Sequence, residues 1–458
     1  MTFVVNIFML RNPIPQTEWA FRGFKKFPQM NERITKEVRK IIHTAELKYT
    51  IPSSEIFLLL TDLDQTIPEF AKYIRQLLAS QTLKNAYVSQ MPKNLNRGII
   101  GLNLYKSKMY RTDKLLYLII TLDLEALCQN NKTVELFYCS INNVIYLQNA
   151  YAAAITAIFP SAKTAELYFD GEEYKAFGIA CLPYLGLAKV NRIDYAMNLY
   201  AECPDLYLYM AGKSFTSSHK KLMKLGKNNN NVYAGSQKKK FSLYDKQDRF
   251  LQLDEEILAS EAENIIRYEA PVIKPTLSWL RNYSSADKIT GLLTFLDENI
   301  ASGHLLSEYF SNIGFGSWYT DYYYTKIINN SCLKPAQKKK MLKEFAPLIS
   351  QTRSITEAKK NYVSGDYKIA KTQKTISGTA QTFNKYMKLY QQIDLQPLRI
   401  PDRKAAEYGV TTIVNPIKNT ADSHNEYDPS AVQITDILNY NYVNNHLFAL
   451  QFSNPDVA

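Results

Sequence analysis

In the segment VNRIDYAMN, residues 190–198, the charged residues Arg192 and Asp194 alternate with Ile193 and Tyr195. In a β-strand successive side chains point to opposite faces, so Arg192 and Asp194 share one face while Ile193 and Tyr195 share the other. This alternation predicts a strand that packs one face against a core. Taken alone, the polar face is also what an ordinary cross-strand ion pair produces.

Two later segments have the same construction, FSLYDKQDR at residues 241–249 and NIIRYEAPVIK at residues 264–274. If each forms a strand, residues two positions apart share a face. The polar faces then carry Tyr244 and Lys246 in the first segment, and Arg267 and Glu269 in the second. Together the three segments predict a sheet with an apolar back and a polar face rich in charged groups.

The chain is basic, with 55 Lys and Arg against 43 Asp and Glu, and its formal net charge is +12. Such a charge favours polyanionic partners, most commonly nucleic acid. Lysines are concentrated in residues 211–240, which hold no acidic residue. The lysines expected to bind DNA phosphates without reading sequence are Lys220, Lys221, Lys224, Lys227, Lys238, Lys239 and Lys240. The alternative for these residues is a solvated loop.

Hydrophobic residues make up 46% of the chain, enough for a large core, and the pattern predicts an α+β fold. FVVNIFML, EIFLLL and LLYLIITLDL are typical of strands, MNERITKEVRKIIHTA has helical spacing, and residues 133–160 predict a buried helix. After residue 275 helical spacing dominates, and Pro335 suits a first helical turn. The predicted regions are α+β at 1–130, sheet at 131–285, a helical domain at 286–400 and an irregular tail at 401–458.

Several protein classes are disfavoured by the sequence. The longest apolar runs fall far short of the ~18 residues of a membrane-spanning helix, and no cleavable signal pattern follows Met1, so a cytoplasmic protein without a membrane partner is expected. The five cysteines form no C-x-x-C pair and are expected to be buried thiols. The five histidines are scattered, so their spacing predicts no metal site, and the absence of G-x-x-x-x-G-K-[ST] argues against ATP hydrolysis.

The order R-x-D, Y-x-K, R-Y-E in the three segments resembles that of rolling-circle replication initiators of the filamentous-phage gene II type, and of trans-acting plasmid initiators. NRIDYAM, FSLYDKQD and IIRYEAPVIK carry the resemblance. It extends weakly over residues 122–403, and the first hundred residues show none. The resemblance implies an antiparallel, nickase-like sheet with flanking helices and a mainly helical C-terminal domain. The His-hydrophobic-His motif of the wider nickase superfamily is missing, which agrees with the gene II branch.

The resemblance implies an enzyme that nicks and rejoins DNA at an origin. Tyr244 would attack a phosphodiester and become joined to its 5′ phosphate, leaving a 3′ hydroxyl. A phenol with its ordinary pKa near 10 is only about 0.1% ionised at pH 7, so the reaction needs help. Lys246 would supply positive charge to the phenolate or to the developing phosphorane.

A metal ion would complete this chemistry. Asp194 and Glu269 would hold Mg²⁺ or Mn²⁺, which prefer carboxylate oxygens, and Asp123 is a weaker candidate for a third ligand. Arg192 and Arg267 would clamp neighbouring phosphates or orient the carboxylates, and the sequence does not decide between these roles.

A second tyrosine cluster competes with Tyr244. If GSWYTDYYYTK, residues 316–326, is helical, Tyr319 and Tyr323 lie four residues apart on one face, as in nickases with two tyrosines. The alternative is that these tyrosines belong to the core or stack on bases.

The leading hypothesis is a replication initiator that acts on origin DNA, single-stranded or supercoiled duplex. The resemblance then implies a host helicase, a polymerase and a single-strand-binding protein as partners. Two alternatives stay open: a relaxase or transposase-like tyrosine nickase, and a non-catalytic nucleic-acid-binding protein whose polar strand faces are structural.

Overall fold

The computed structural model describes residues 42–92, 94–95, 97–107, 115–129, 136–137, 141–163, 178–214, 222–225, 231–236, 239–284, 291–314, 316–368 and 375–415. For residues 141–142, 222–225, 231, 233–236, 239–240 and 298–299 it describes the backbone only. Within these residues no helix has the length and apolar character needed to cross a membrane.

One antiparallel sheet, whose strands differ in length, organises the part of the chain that the structure describes. Its strands are β1 (Ile42–Pro52), β2 (Asn85–Val88), β3 (Ile99–Lys106), β4 (Leu115–Asp123), β5 (Lys189–Tyr200), β6 (Leu222–Leu225), β7 (Asn231–Ser236), β8 (Lys239–Asp245) and β9 (Ile265–Ile273). They lie in the order β2-β3-β4-β1-β5-β9-β8-β7-β6, and all neighbours are antiparallel. Two small ribbons pair β10 (Trp318–Tyr319) with β13 (Thr412–Ile413), and β11 (Tyr367–Lys368) with β12 (Thr375–Ile376).

Helices flank the sheet and dominate the chain after β9, so the predicted α+β class is confirmed. They are α1 (Ile56–Thr66), α2 (Pro68–Ala79), α3 (Leu124–Gln129), α4 (Ile141–Ile158), α5 (Pro204–Lys213), α6 (Lys246–Leu251), α7 (Glu256–Glu261), α8 (Leu277–Leu280), α9 (Glu298–Asn312), α10 (Asp321–Asn330), α11 (Pro335–Lys340), α12 (Ala346–Thr352), α13 (Ile355–Ser364), α14 (Ala380–Gln392) and α15 (Asp402–Tyr408). A π-helical turn, Met341–Phe345, joins α11 to α12.

One face of the sheet is the floor of the main core. Tyr49 on β1 bonds through its hydroxyl to that of Tyr151 on α4, at 2.7 Å. Tyr195 on β5 donates to the Phe295 carbonyl at 2.9 Å, and the Tyr268 ring on β9 meets that of Tyr309 on α9 edge to face. Helices cover this apolar face. Because side chains alternate along a strand, the intervening residues of each strand form the opposite, polar face.

Several predicted elements are confirmed. The segments around residues 190–198 and 264–274 form β5 and β9, LLYLIITL forms β4, and the buried helix within residues 133–160 is α4. In the helical part, Pro335 lies in the first turn of α11.

One predicted strand is wrong, and so is the predicted end of one helix, whose residues 30–41 lie outside the described residues. EIFLLL is not a strand, because its residues 56–60 begin α1, where the buried Leu59 and Leu63 follow helical spacing. Residues 42–45, predicted as the end of a helix, belong to β1, where Ala45, Leu47 and Tyr49 are buried with the two-residue period of a strand.

The predicted domain division stays a prediction. Strands from its first two regions belong to one sheet, with β1 between β4 and β5. In the predicted irregular tail, residues 402–408 form α15, and residues 416–458 lie outside the described part of the chain.

Candidate active site on the polar sheet face

Strand register places most of the predicted site residues on one face of the sheet. Residues directly opposite each other on paired strands share a face. Ser242 lies opposite Glu269, and Tyr244 lies opposite Arg267. Arg267 in turn lies opposite Asn198, which has the same parity on β5 as Arg192 and Asp194. The three quoted segments therefore meet on strands β5, β9 and β8.

Glu269 is the centre of a hydrogen-bonded cluster on this face. The Tyr244 hydroxyl donates to Glu269 Oε1 at 2.6 Å, and Ser242 Oγ donates to Oε2 at 3.0 Å. Burial raises the pKa of Glu269, but His43, the bond from Tyr244 and the nearby Arg267 together bring it below its ordinary value. The carboxylate is therefore ionised at neutral pH and holds the Tyr244 hydroxyl in a fixed direction.

His43 belongs to this cluster, although sequence reasoning did not select it as a site residue. Its Nδ1 lies 3.8 Å from Glu269 Oε1. In a regular strand His43 would instead lie on the apolar face with Ala45, two residues away. The pairing of β1 with β5 shifts between Ile42 and Thr44, so His43 is the extra residue of a β-bulge. Burial, with Arg267 next in effect, lowers the pKa of His43 to about 4, so the ring is neutral at pH 7.

Lys246 lies beside the cluster, but not on the strand that was predicted for it. β8 ends at Asp245, whose side chain accepts a hydrogen bond from the Asp248 amide at 3.1 Å and caps α6. Lys246 is thus the first residue of that helix and is only 6% exposed. Its ammonium lies 4.3 Å from the centre of the Phe250 ring.

The surroundings of Lys246 suppress its charge. Burial, followed by the positive charge of Arg267, lowers the pKa of Lys246 to about 7, although Glu269 and Asp123 act in the opposite direction. At neutral pH the side chain therefore exists in both protonation states.

The two arginines differ in their positions. Arg267 is fully buried, and its Nε donates to Asn198 Oδ1 at 2.9 Å, so it acts on the cluster through its charge rather than as an exposed phosphate clamp. Arg192 is half-exposed, and its Nε donates to Asp194 Oδ1 at 2.7 Å. Of the two roles predicted for arginine, orientation of a carboxylate matches the contact that Arg192 makes.

Asp194 is buried at the β1 side of the same face. Thr44 Oγ1 donates to its Oδ2 at 2.5 Å, while Oδ1 accepts from Arg192. Burial raises the pKa of Asp194, and the charge of Glu269 adds to the rise, although Arg192 and Thr44 oppose it. Asp123 lies opposite Thr44 on β4, and its Oδ1 accepts a bond from the Ala126 amide at 3.0 Å.

These carboxylates do not form a ready metal site. Both oxygens of Asp194 and both oxygens of Glu269 already accept hydrogen bonds from protein groups. Among the described residues, no three His, Cys, Asp or Glu side chains cluster closely enough to hold a metal ion. As arranged, the donor set does not fit a bound divalent cation, and Mg²⁺ or Mn²⁺ stays a prediction.

The predicted DNA-binding lysines have little described structure. Lys220, Lys221, Lys227 and Lys238 lie outside the described residues, and Lys224, Lys239 and Lys240 are described only as backbone positions in β6 and β8. Their role in phosphate binding stays a prediction.

The competing tyrosine pair is not arranged as predicted. Tyr319 lies in β10 and α10 begins at Asp321, so Tyr319 and Tyr323 do not share a helix face. Tyr324 is a core residue whose hydroxyl donates to that of Tyr390 at 2.8 Å. The prediction of buried thiols holds for Cys181 alone among the described cysteines; Cys128, Cys203 and Cys332 are half-buried or exposed, and Cys139 lies outside the described residues.

No family model matches the chain, no curated protein matches its sequence, and no solved structure matches its fold.

Proposed function

We propose that this chain is a tyrosine nicking and joining enzyme that acts on DNA, with Tyr244 as the nucleophile. The observation that carries the proposal is the 2.6 Å hydrogen bond from the Tyr244 hydroxyl to Glu269, on a face that also holds Lys246 and His43. A nucleophile bonded to an ionised acceptor is the arrangement that nucleophilic catalysis requires.

In the proposed reaction the Tyr244 oxygen attacks the phosphorus of a phosphodiester. Its proton passes to Glu269 as the tyrosine–phosphorus bond forms, and the bond from phosphorus to the 3′ oxygen breaks. The departing 3′ oxygen takes a proton from the Lys246 ammonium. The products are a tyrosine-linked 5′ phosphate and a free 3′ hydroxyl, and the same steps in reverse rejoin the strand.

The electrostatics of the cluster suit this sequence of proton transfers. General acids work best with a pKa near the working pH, and Lys246 has a pKa of about 7. His43 is neutral at pH 7 and so does not compete with Tyr244 for the charge of Glu269. The buried guanidinium of Arg267 places a positive charge near Glu269, beside which the phosphate would bind.

The finer proposal is a replication initiator acting at an origin, single-stranded or in supercoiled duplex, together with a host helicase, polymerase and single-strand-binding protein. Its support is the order of the R-x-D, Y-x-K and R-Y-E segments and the net charge of +12. A divalent cation recruited with the substrate belongs to this finer proposal, and no step above depends on it.

One observation favours a second candidate, the non-catalytic nucleic-acid-binding protein. Tyr244 is only 9% exposed and Lys246 only 6%, which is typical of buried polar networks that stabilise a sheet. In that case the cluster is structural, and the protein binds DNA without forming a covalent adduct.

The deciding experiment incubates the protein with supercoiled DNA of its own replicon, with Mg²⁺, with Mn²⁺ and with EDTA. Wild type is compared with Tyr244→Phe, Glu269→Gln and a control, Tyr200→Phe, which removes an exposed hydroxyl from the same sheet face. Open circles and protein linked to a 5′ end are measured. We expect an adduct with wild type and Tyr200→Phe, none with Tyr244→Phe, and nicking slowed about 10²-fold or more by Glu269→Gln.

If Tyr244→Phe still forms the adduct, Tyr244 is not the nucleophile, and Tyr323→Phe becomes the next variant. If no variant and no metal condition gives an adduct while every protein binds the DNA, the second candidate is correct. An adduct that disappears only in EDTA assigns a metal ion to the reaction.

A further inference from the structure

The half of the polar face farthest from Tyr244 carries a cluster of lysine and tyrosine side chains. The Lys48 ammonium on β1 lies 3.4 Å from the centre of the Tyr117 ring and 5.6 Å from that of Tyr105. The two rings are 5.3 Å apart on the neighbouring strands β4 and β3, and both are half-buried. A cation held over two aromatic rings is fixed in direction while its outer side stays open to a ligand.

Two more ammonium groups lie close to Lys48. Lys189 is its direct partner on β5, and Lys274 follows the end of β9; both are exposed. Burial, followed by the charges of Lys189 and Lys274, lowers the pKa of Lys48. Like charges gathered in one place repel each other, so the cluster gains stability from an anion bound among them.

One acidic side chain close to Lys48 in the sequence, Glu46, pairs with groups on β5. Glu46 lies two residues before Lys48 on β1 and accepts a bond from Asn191 at 2.7 Å. Its other oxygen lies 3.9 Å from Arg192 Nη1. The carboxylate therefore partly balances Arg192 on β5, although after burial and Tyr117 its charge also raises the pKa of Tyr105.

A third tyrosine extends the surface to the edge of the sheet. Tyr87 on β2 lies opposite Asn103, which lies opposite Ile119, which lies opposite Lys48. The same row thus crosses from Tyr87 to Lys48 on one face. The side chain of Tyr87 is 54% exposed, so its ring is accessible for stacking.

We infer that this surface, formed by Lys48, Lys189, Lys274, Tyr87, Tyr105 and Tyr117, binds a single-stranded segment of the DNA whose phosphodiester lies at Tyr244. The lysines hold its phosphates, and the tyrosines stack on its bases. The inference rests on the proposed function for the identity of the DNA, but not for the binding itself. It assigns a role to strands β1 to β4, where the sequence offered none.

Single-stranded nucleic acid is favoured over a duplex by the composition of the surface. Unpaired bases expose their faces to aromatic rings, whereas a duplex offers mainly its phosphates to a flat sheet. A surface with three aromatic rings and three ammonium groups can both stack on the bases and bind the phosphates of a single strand. An acidic polypeptide would use the lysines and leave the rings unused.

The test measures fluorescence anisotropy of a labelled 30-nucleotide single strand of mixed sequence and of its duplex, in EDTA so that binding is separated from nicking. One variant combines Lys189→Gln with Lys274→Asn, since Lys274 has a φ of +49° that Asn tolerates. Its control combines Lys359→Gln with Lys360→Gln on α13, which removes the same charge. Tyr87→Ala is compared with Tyr146→Ala, a tyrosine of similar exposure on α4.

We expect the Lys189 and Lys274 variant to lower the slope of log affinity against log salt by about 1.4, that is 0.7 for each lost phosphate contact, while its control changes the slope far less. Tyr87→Ala is expected to weaken single-strand binding about fivefold or more, and Tyr146→Ala to leave it unchanged. Duplex binding is expected to be weaker and insensitive to Tyr87.

Equal behaviour of each variant and its control overturns the inference, whatever the outcome for Tyr244. Equal affinity for duplex and single strand, or displacement of the strand by polyglutamate at a matched charge concentration, also overturns it. Loss of binding in the surface variants of a protein that forms no adduct supports the inference while removing the proposed catalytic function.

Discussion

At the scale of single residues, Lys246 shows how position rather than residue type decides chemistry. A lysine ordinarily has a pKa near 10.5, but the burial of Lys246 and its proximity to Arg267 bring the pKa to about 7. Between these two values the unfolded chain binds more protons at this position than the folded chain. Stability contributed by this residue therefore rises with pH from about 7 to about 10.5.

Replacing Lys246 with Met is expected to remove this dependence. We compare the free energy of unfolding of the variant with that of wild type at each pH. The gain of the variant should be larger at pH 7 than at pH 10, by an amount on the order of 1–3 kcal/mol. Urea denaturation at the two pH values measures the difference. The control is Lys360→Met on an exposed face of α13, for which the two pH values should agree within about 0.5 kcal/mol. A pH-independent gain for Lys246→Met would show that the folded lysine keeps an ordinary pKa.

The residues of the candidate site were only partly predictable. Arg192, Asp194, Arg267 and Glu269 follow strict alternation in strands that the sequence predicts, so their common face was accessible to sequence reasoning. His43 was not, because a β-bulge reverses its expected side, and bulges leave no reliable pattern in a single sequence.

At the scale of elements, close packing decides where strands and helices begin. β3 begins beside α3, and the Asp123 amide at the end of β4 donates to the Gly98 carbonyl at 2.8 Å. Gly98 has a φ of +82°, and a Cβ there would lie 2.4 Å from the Leu127 backbone. The position thus excludes a side chain for reasons of both backbone conformation and space.

The effect of space can be separated from that of conformation by two glycine substitutions. Gly409, which ends α15, has a φ of +65° but nothing within 4 Å of an added Cβ. Gly409→Ala is expected to cost about 1 kcal/mol of unfolding free energy. Gly98→Ala should cost at least about 2 kcal/mol more, because the α3 backbone must move. Equal losses in thermal or urea denaturation would contradict the close contact.

The elements that sequence reasoning missed are those in which short-range signals conflict. EIFLLL is apolar enough for a strand, yet Leu59 and Leu63 bury one side of a helix, and a short apolar run does not distinguish the two. The end of β8 was missed because Tyr244 and Lys246 are two residues apart and would share a face if the strand continued. Instead the side chain of Asp245 caps α6, so the strand ends at Asp245 and Lys246 is helical.

At the scale of the whole molecule, buried tyrosine hydroxyls join distant parts of the chain. The hydroxyls of Tyr207 on α5 and Tyr309 on α9 are 2.5 Å apart, and Tyr309 donates to Asn415 Oδ1 at 2.8 Å. All three residues are buried. One bonded chain thus ties the region before β6 to the last described residues.

Removing the central hydroxyl should therefore affect the stability of the whole fold. Tyr309→Phe takes a partner from both Tyr207 and Asn415, and we expect a loss of about 1–3 kcal/mol in the free energy of unfolding. Tyr322→Phe, at an exposed position on α10, should change it by less than about 0.5 kcal/mol. Comparable losses in the two variants, measured by urea denaturation, would show that the buried hydroxyl makes no net contribution.

Because β1 lies between β4 and β5 in the sheet, the ribosome makes both of its neighbouring strands after it. His43 and Glu269 are 226 positions apart in the sequence, the difference of 269 and 43. At roughly 5–20 residues per second, the ribosome adds Glu269 about 10 to 50 s after His43. During that interval β1 lacks its β5 neighbour for most of the time, and its apolar side must be shielded by partial structure or by chaperones. No nascent chain that stops before β9 contains the Tyr244 and Glu269 pair, so the candidate site is complete only after synthesis has passed Ile273.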